Sequence, residues 1–135
     1  MNKRRLVDTN LVVRYLVQDH EKHAKAAGKL FEACDRGDLV IVLLPAVLAE
    51  CVFVLESFYQ HPRGVIASVL GTLISNPGIE IHEEAICLDA LDRYGKTKVH
   101  FVDCLIAAAA LAENIPVATF DQDFRKFAGV RLETH

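Results

Sequence analysis

The chain has 135 residues, 52% hydrophobic and 24% charged, with a formal net charge of −3 at pH 7. That length suits one domain spanning residues 1–135 around a single core, and the composition excludes a disordered chain. The slight acidity argues against a globally basic nucleic-acid-binding face, although carboxylates neutralised by bound cations would lower formal charge without weakening attraction for phosphate.

The basic start Lys3-Arg4-Arg5 precedes Leu6-Val7, but Asp8, Asn10 and Arg14 interrupt what would be the apolar stretch of a leader, so export is not expected. Leu6-Val7 begins a first strand that ends at Asp8. Asp8-Thr9-Asn10 then supplies capping side chains for a helix marked by Leu11, Val12, Tyr15 and Leu16. From His20 to Arg36, apolar Ala24, Ala27, Leu30, Phe31 and Cys34 recur at helical spacing before Gly37.

Leu39 to Leu43 is a β-branched run without alternation, which predicts a strand covered on both faces, as in a parallel sheet. Pro45 opens a helix to about Phe58, and another follows His61-Pro62 to Ile74, where Asn76-Pro77-Gly78 breaks it. The apolar run from Leu39 to Leu55 is interrupted by Pro45 and Glu50 and falls short of the about 20 residues of a membrane helix.

Ile79 to His82 reads as strand three, Glu83 to Tyr94 as a helix, and Gly95 to Lys98 as a polar loop. Phe101 to Asn114 is a helix, Val117 to Phe120 strand four, Asp121 to Phe127 a short capped helix, and Val130 to Leu132 a fifth, edge strand. This alternation predicts an α/β domain with a mainly parallel sheet, right-handed crossovers and helices on both faces. Cys34, Cys51, Cys87 and Cys104 form no CxxC pair and have no histidine at zinc spacing, so they are expected as buried thiols of a reducing cytoplasm.

In such sheets, ligands bind beyond the carboxyl ends of the strands. Asp8 follows strand one and Asp121 follows strand four; Asp103 stands in the first turn of a helix and Glu50 on the helix after strand two. Taken singly, Asp8, Asp103 and Asp121 are better explained by helix capping or the helix dipole, whereas Glu50 has apolar neighbours, including Val47 and Val54, among which an unpaired carboxylate is costly. Four gathered acids would repel one another, and a hard divalent cation is their natural occupant. All-oxygen donors favour magnesium or manganese over zinc.

Together, Val7-Asp8-Thr9-Asn10, Glu50, Phe101-Val102-Asp103-Cys104-Leu105-Ile106-Ala107 and Ala118-Thr119-Phe120-Asp121-Gln122-Asp123-Phe124 resemble the ordered motifs of the PIN-domain family. The compact form looks like the VapC toxins of type II toxin–antitoxin systems. That resemblance implies a three-layer α/β/α sandwich with a five-stranded sheet in the order 3-2-1-4-5 and a magnesium-dependent endoribonuclease site, with manganese able to substitute. It assigns Asp8, Glu50, Asp103 and Asp121 as catalytic metal ligands, with Asp123 as an occasional fifth, and Thr9, Asn10 and Thr119 as supporting polar groups. It also implies an RNA substrate, a homodimer and a small VapB-like antitoxin.

Phosphate contacts would fall to Arg14, Arg93, Lys96, Lys98, Arg125 and Lys126, each of which reads equally as part of a solvated charged face. His100 is placed to touch RNA or assist protonation, though a histidine at a helix start is more often structural, and His20 and His23 lack a third ligand for a metal. A receiver-like magnesium-binding domain is disfavoured because strand three ends in Ile81-His82-Glu83 without a phospho-accepting Asp. A DxD phosphatase is disfavoured because Thr9-Asn10 follows Asp8. An inactive PIN-fold RNA-binding module would have no need to retain mutually repelling carboxylates.

Overall fold

The computed structural model describes residues 3–133, so positions 1–2 and 134–135 of the expected domain lie outside the described residues. β1 (Arg4–Leu6), β2 (Val40–Leu43) and β3 (Ile79–Ile81) form a parallel sheet with β2 in the middle. Arg4 pairs with Val40 on one edge of β2, and Ile41 with Ile79 on the other. The unalternated run behaves as expected of an inner strand: Ile41 and Leu43 are each only 1% exposed.

Six helices connect and cover the strands: α1 (Thr9–Val17), α2 (Glu21–Asp35), α3 (Pro45–Ser57), α4 (Arg63–Ile74), α5 (Glu84–Lys96) and α6 (Phe101–Glu113). Their starts follow local chemistry. Asp8 Oδ1 accepts the Leu11 N–H at 3.0 Å to begin α1, and Pro45 occupies the first turn of α3, where a missing N–H costs nothing. The α2 cap is His20, whose Nδ1 accepts the His23 N–H at 3.2 Å. Gln18 and Asn114 take left-handed conformations just after α1 and α6.

The core joins β2 and β3 to one face each of α3, α4, α5 and α6, through Leu48, Leu55, Leu70, Ile74, Leu91 and Ala107 among others. Complete burial of such a leucine or isoleucine contributes about 1.5–3 kcal/mol. α5 packs on both α4 and α6, and α1 packs on α2 and α3. No helix among the described residues is long and apolar enough to cross a membrane.

The C-terminal part departs from expectation. β4 covers only Val117–Ala118 and β5 only Leu132–Glu133, and these two form a separate parallel pair. The segment after Asp121 is a 3-10 turn over Gln122–Lys126 instead of an α-helix. Among the described residues, the ladders give 3-2-1 and 4-5, with no β1–β4 ladder to make the continuous order 3-2-1-4-5. The N–H groups of Val117 and Thr119 both reach to the β5 side, at 2.8 and 3.3 Å. All three β1 residues are exposed, Leu6 to 70%, so no buried apolar seam holds that edge against β4.

The turn before β3 is tightly built. Gly78 donates its N–H to Asn76 Oδ1, its carbonyl accepts from both Ile41 N and the buried Cys34 thiol, and Asn76 donates in turn to Asp35 at the end of α2. A Cβ on Gly78 would lie 2.5 Å from Cys34 Sγ and 3.1 Å from the Cys34 carbonyl. Gly78→Ala is therefore expected to destabilise the fold by about 1–3 kcal/mol in urea denaturation. Cys34→Ala in the same background should return part of that loss, since it removes the closer of the two contacts.

Candidate active site

Asp8 emerges directly from β1. It is exposed, and one of its carboxylate oxygens is committed to capping α1, leaving the other open. Thr9, immediately after it, is the buried polar residue of the described core, at 8% exposure, while Asn10 faces solvent. The cap and the acid at the strand end are thus the same residue in different uses.

Glu50 lies in α3 beside Cys51, which is fully buried. Burial pushes the Cys51 thiol up to about 12, and the negative charges of Glu50 and then Asp8 add to that shift. One thiol therefore feels both carboxylates, which brings Asp8 and Glu50 to a common region. The expectation that Glu50 sits in an apolar surrounding is corrected: its side chain is exposed. Its neighbours Leu48, Cys51, Val52 and Leu55 take the core face of α3, while Val47 and Val54 are only half-buried, so Glu50 bears no desolvation cost.

The other acids form a second group. Asp103 stands in the first turn of α6, half-buried, and its carboxyl is held above the ordinary carboxylate value by burial first, then by the negative charge of Asp121. His100 opposes the shift and Asp123 adds to it. Asp121 follows β4 through Phe120, and its backbone N–H donates to Thr119 Oγ1 at 2.9 Å, so Thr119 helps shape the turn that presents it. Asp121 Oδ1 accepts the Asp123 N–H at 2.8 Å, and Asp123 pairs with Lys126 at 3.5 Å.

Among the described residues, no three or more histidine, cysteine, aspartate or glutamate side chains are close enough to hold a metal ion as they stand. Charge effects link Asp8 with Glu50 through the Cys51 thiol, and Asp103 with Asp121 and Asp123. With no β1–β4 ladder, the strand ends bearing Asp8 and Asp121 are not locked side by side. The donor chemistry nonetheless fits a hard divalent cation: every candidate ligand is a carboxylate, four of the five are exposed and Asp103 is half-buried, and all four cysteines are buried away from solvent.

Most of the cationic candidates already have partners. Arg14 pairs with Asp19 at 2.9 Å, Arg93 with Asp89 at 3.1 Å and Lys96 with Asp92 at 3.0 Å. Such surface pairs contribute about 0–1 kcal/mol and yield readily to a phosphate. Lys98 and Arg125 are exposed and make no ion pair among the described residues. His20 and His23 stack at 3.9 Å, with His20 serving as the α2 cap.

A cleft of about 190 Å³ opens between α3 and α6, with Phe53, Glu56, Arg63, Tyr94, Lys98 and His100 on its walls. Sequence reading singled out Lys98 and His100 but missed the other three polar members. Glu56, Arg63 and Tyr94 come from three different helices, and no local pattern connects them.

Acids at strand ends and helix starts, in an α/β fold with parallel strands, bear comparison with known proteins. No curated protein matches the chain. The family model of the PIN domain matches residues 5–130. PIN domains are generally nucleases that bind nucleic acid and usually divalent metals. That match takes in all five candidate acids and the first four strands apart from Arg4 of β1, and leaves β5 outside; the chain belongs to the PIN-domain family.

Proposed function

We propose that the protein is a magnesium-dependent endoribonuclease that hydrolyses RNA phosphodiester bonds, and the toxin of a VapBC-type toxin–antitoxin pair. The observation that carries this reading is the charge of Asp121 acting on Asp103, acids brought together from different elements of a PIN-domain chain. A cap for Asp121 and a first-turn place for Asp103 account for each acid alone, but not for placing two like charges where one raises the other's carboxyl.

Asp8, Glu50, Asp103 and Asp121 would hold the ion, with Asp123 as an additional donor and manganese able to substitute. When bound, the ion supplies Lewis-acid activation of water for in-line attack and charge stabilisation on the leaving oxygen. Thr119 orients Asp121 through its backbone N–H, and Thr9 and Asn10 support the turn after Asp8. Lys98 and Arg125 are readiest to attract the RNA backbone, and Arg14, Arg93, Lys96 and Lys126 become available by exchanging a carboxylate for a phosphate. The order 3-2-1-4-5 belongs to this reading: it needs one further ladder, β1 with β4, which would set Asp8 beside Asp121.

Exposed apolar side chains flank each acid in sequence: Leu6 before Asp8, Phe53 after Glu50, Val102 before Asp103 and Phe120, 85% exposed, before Asp121. Exposed apolar side chains close in sequence to each acid support a protein partner, here a small antitoxin, and self-association into a homodimer. Four buried free thiols support a cytoplasmic setting.

Purified protein incubated with small structured RNAs is expected to cleave them in magnesium and not in chelator, leaving 5′-phosphate and 3′-hydroxyl ends. Asp8→Asn and Asp103→Asn should each reduce cleavage more than about a hundredfold, beyond the loss typical of supporting groups around a metal. Because Asn caps a helix as well as Asp, Asp8→Asn should stay within about 0.5 kcal/mol of the parent in stability. Binding without cleavage by the parent would favour the inactive module instead.

Asp103 also yields a pH dependence. Its folded value is raised above the ordinary 3.8. Its neutral form therefore stabilises the fold fully below about pH 3.8, and this contribution is lost as pH rises through the folded value. In chelator at pH 7, Asp103→Asn should melt no lower than the parent, and the difference should close below about pH 4. A variant that melts distinctly lower at pH 7 would show that Asp103 serves mainly its helix.

A further inference from the structure

Arg63, at the first position of α4, uses three different donors on three different acceptors. Its Nε donates to the Tyr94 carbonyl at 3.1 Å, its Nη1 to Glu56 Oε1 at 3.0 Å, and its Nη2 to the Val99 carbonyl. The guanidinium also lies over the Tyr94 ring, 3.8 Å from its centroid, and the Tyr94 hydroxyl donates to the same Glu56 oxygen. The Tyr94 ring is buried, at 1% exposure, and burial together with Glu56 holds its phenol well above the ordinary tyrosine value, so it remains a donor. Only a planar fork with fixed donors spans such a set; an ammonium group cannot.

What these acceptors belong to gives the network its meaning. Tyr94 is near the end of α5 and Val99 lies just before α6, so Arg63 grips both sides of the connection that carries Lys98 and begins after Lys96, the last residue of α5. The loop is braced within as well, by Thr97 Oγ1 donating to the Arg93 carbonyl at 2.8 Å and accepting from Val99 N at 3.3 Å. Beyond Val99 the chain enters α6, whose first turn bears Asp103. Glu56, the third acceptor, is on α3, the helix that bears Glu50. The network therefore joins the Glu50 helix to the start of the Asp103 helix.

We infer that Arg63 is a positioning residue for the acidic site, fixing the start of α6, and with it Asp103, relative to α3. This rests on the metal-dependent reading for its consequence in activity, but its structural content stands apart from that reading. Arg63 touches neither substrate nor the acids; it acts through the Val99 carbonyl and Glu56.

The test uses the full chain and two variants, Arg63→Lys and Tyr94→Phe, each keeping the bulk of the original side chain. Amide hydrogen exchange, Mn2+ binding by titration, and RNA cleavage kinetics are measured well below the melting temperature. Arg63→Lys is expected to raise exchange at residues 99–104 by about tenfold while leaving β2 unchanged, the scale of losing one or two hydrogen bonds locally. It should weaken Mn2+ binding about tenfold and lower kcat while leaving KM for RNA near the parent value. Tyr94→Phe should shift the same observables in the same direction by less.

Parental exchange at residues 99–104 in Arg63→Lys, or exchange raised equally throughout the protein, would overturn the inference and leave Arg63 a general brace. A parent that neither binds Mn2+ nor cleaves RNA would instead sink the nuclease reading, and the exchange comparison would still decide whether Arg63 sets the start of α6.

Discussion

Ile41 and Leu43 of β2 have almost no contact with water, and both edges of that strand are occupied by parallel neighbours. A strand so enclosed has to satisfy its backbone groups through the ladders, and it fixes where its neighbours end. β1 ends just before Asp8, and β2 ends just before the helix that carries Glu50. Parallel pairing points both ends the same way, so the chain after each strand emerges at one edge of the sheet. The burial of β2 thus places the Asp8 and Glu50 region, and their common effect on the Cys51 thiol follows from it.

In the proposed metal-dependent reading, one carboxylate would serve two purposes at Asp8 and at Asp121. Asp8 and Asp121 each commit one oxygen to a backbone N–H at the start of a helical segment, at 3.0 and 2.8 Å. That hydrogen bond orients the side chain and leaves its second oxygen directed by the same geometry. A cap is therefore compatible with metal ligation and helps it, since a fixed carboxylate loses less freedom when an ion binds. Asp103 differs: it makes no such bond, it is more enclosed, and its charge is disfavoured by burial and by Asp121. A cation would relieve this strain most directly at Asp103.

The two acidic groups are supported by different parts of the molecule. Asp8 and Glu50 belong to the three-stranded sheet and α3, whereas Asp121 and Asp123 belong to the small β4–β5 pair and its 3-10 turn. α6 stands between them, packed against α5, α3 and β4. Its start is tied through Arg63 to Glu56 of α3, a connection built from charge-assisted hydrogen bonds and a stacked ring instead of a strand ladder.

The sequence by itself determined the features that depend on near neighbours. Apolar spacing located α1 and α2, Pro45 and the His61-Pro62 and Asn76-Pro77-Gly78 breaks bounded α3 and α4, Asp8 marked the start of α1, the unalternated Leu39 to Leu43 run identified the inner strand, and the four ordered motifs indicated the family. Local patterns were insufficient where competing partners are distant. His20 caps α2 though histidine is not a favoured cap, and Glu50 is exposed because its apolar neighbours, not Glu50 itself, face the core. Strand four was cut short because its N–H groups at Val117 and Thr119 pair with β5 and no buried seam joins it to β1. The Arg63 network was invisible because its acceptors lie 7, 31 and 36 residues away in sequence. Propensity and capping act over one turn of chain, whereas the juxtaposition of α3, α5 and α6 is set by how their buried faces pack, and only the tertiary structure decides that.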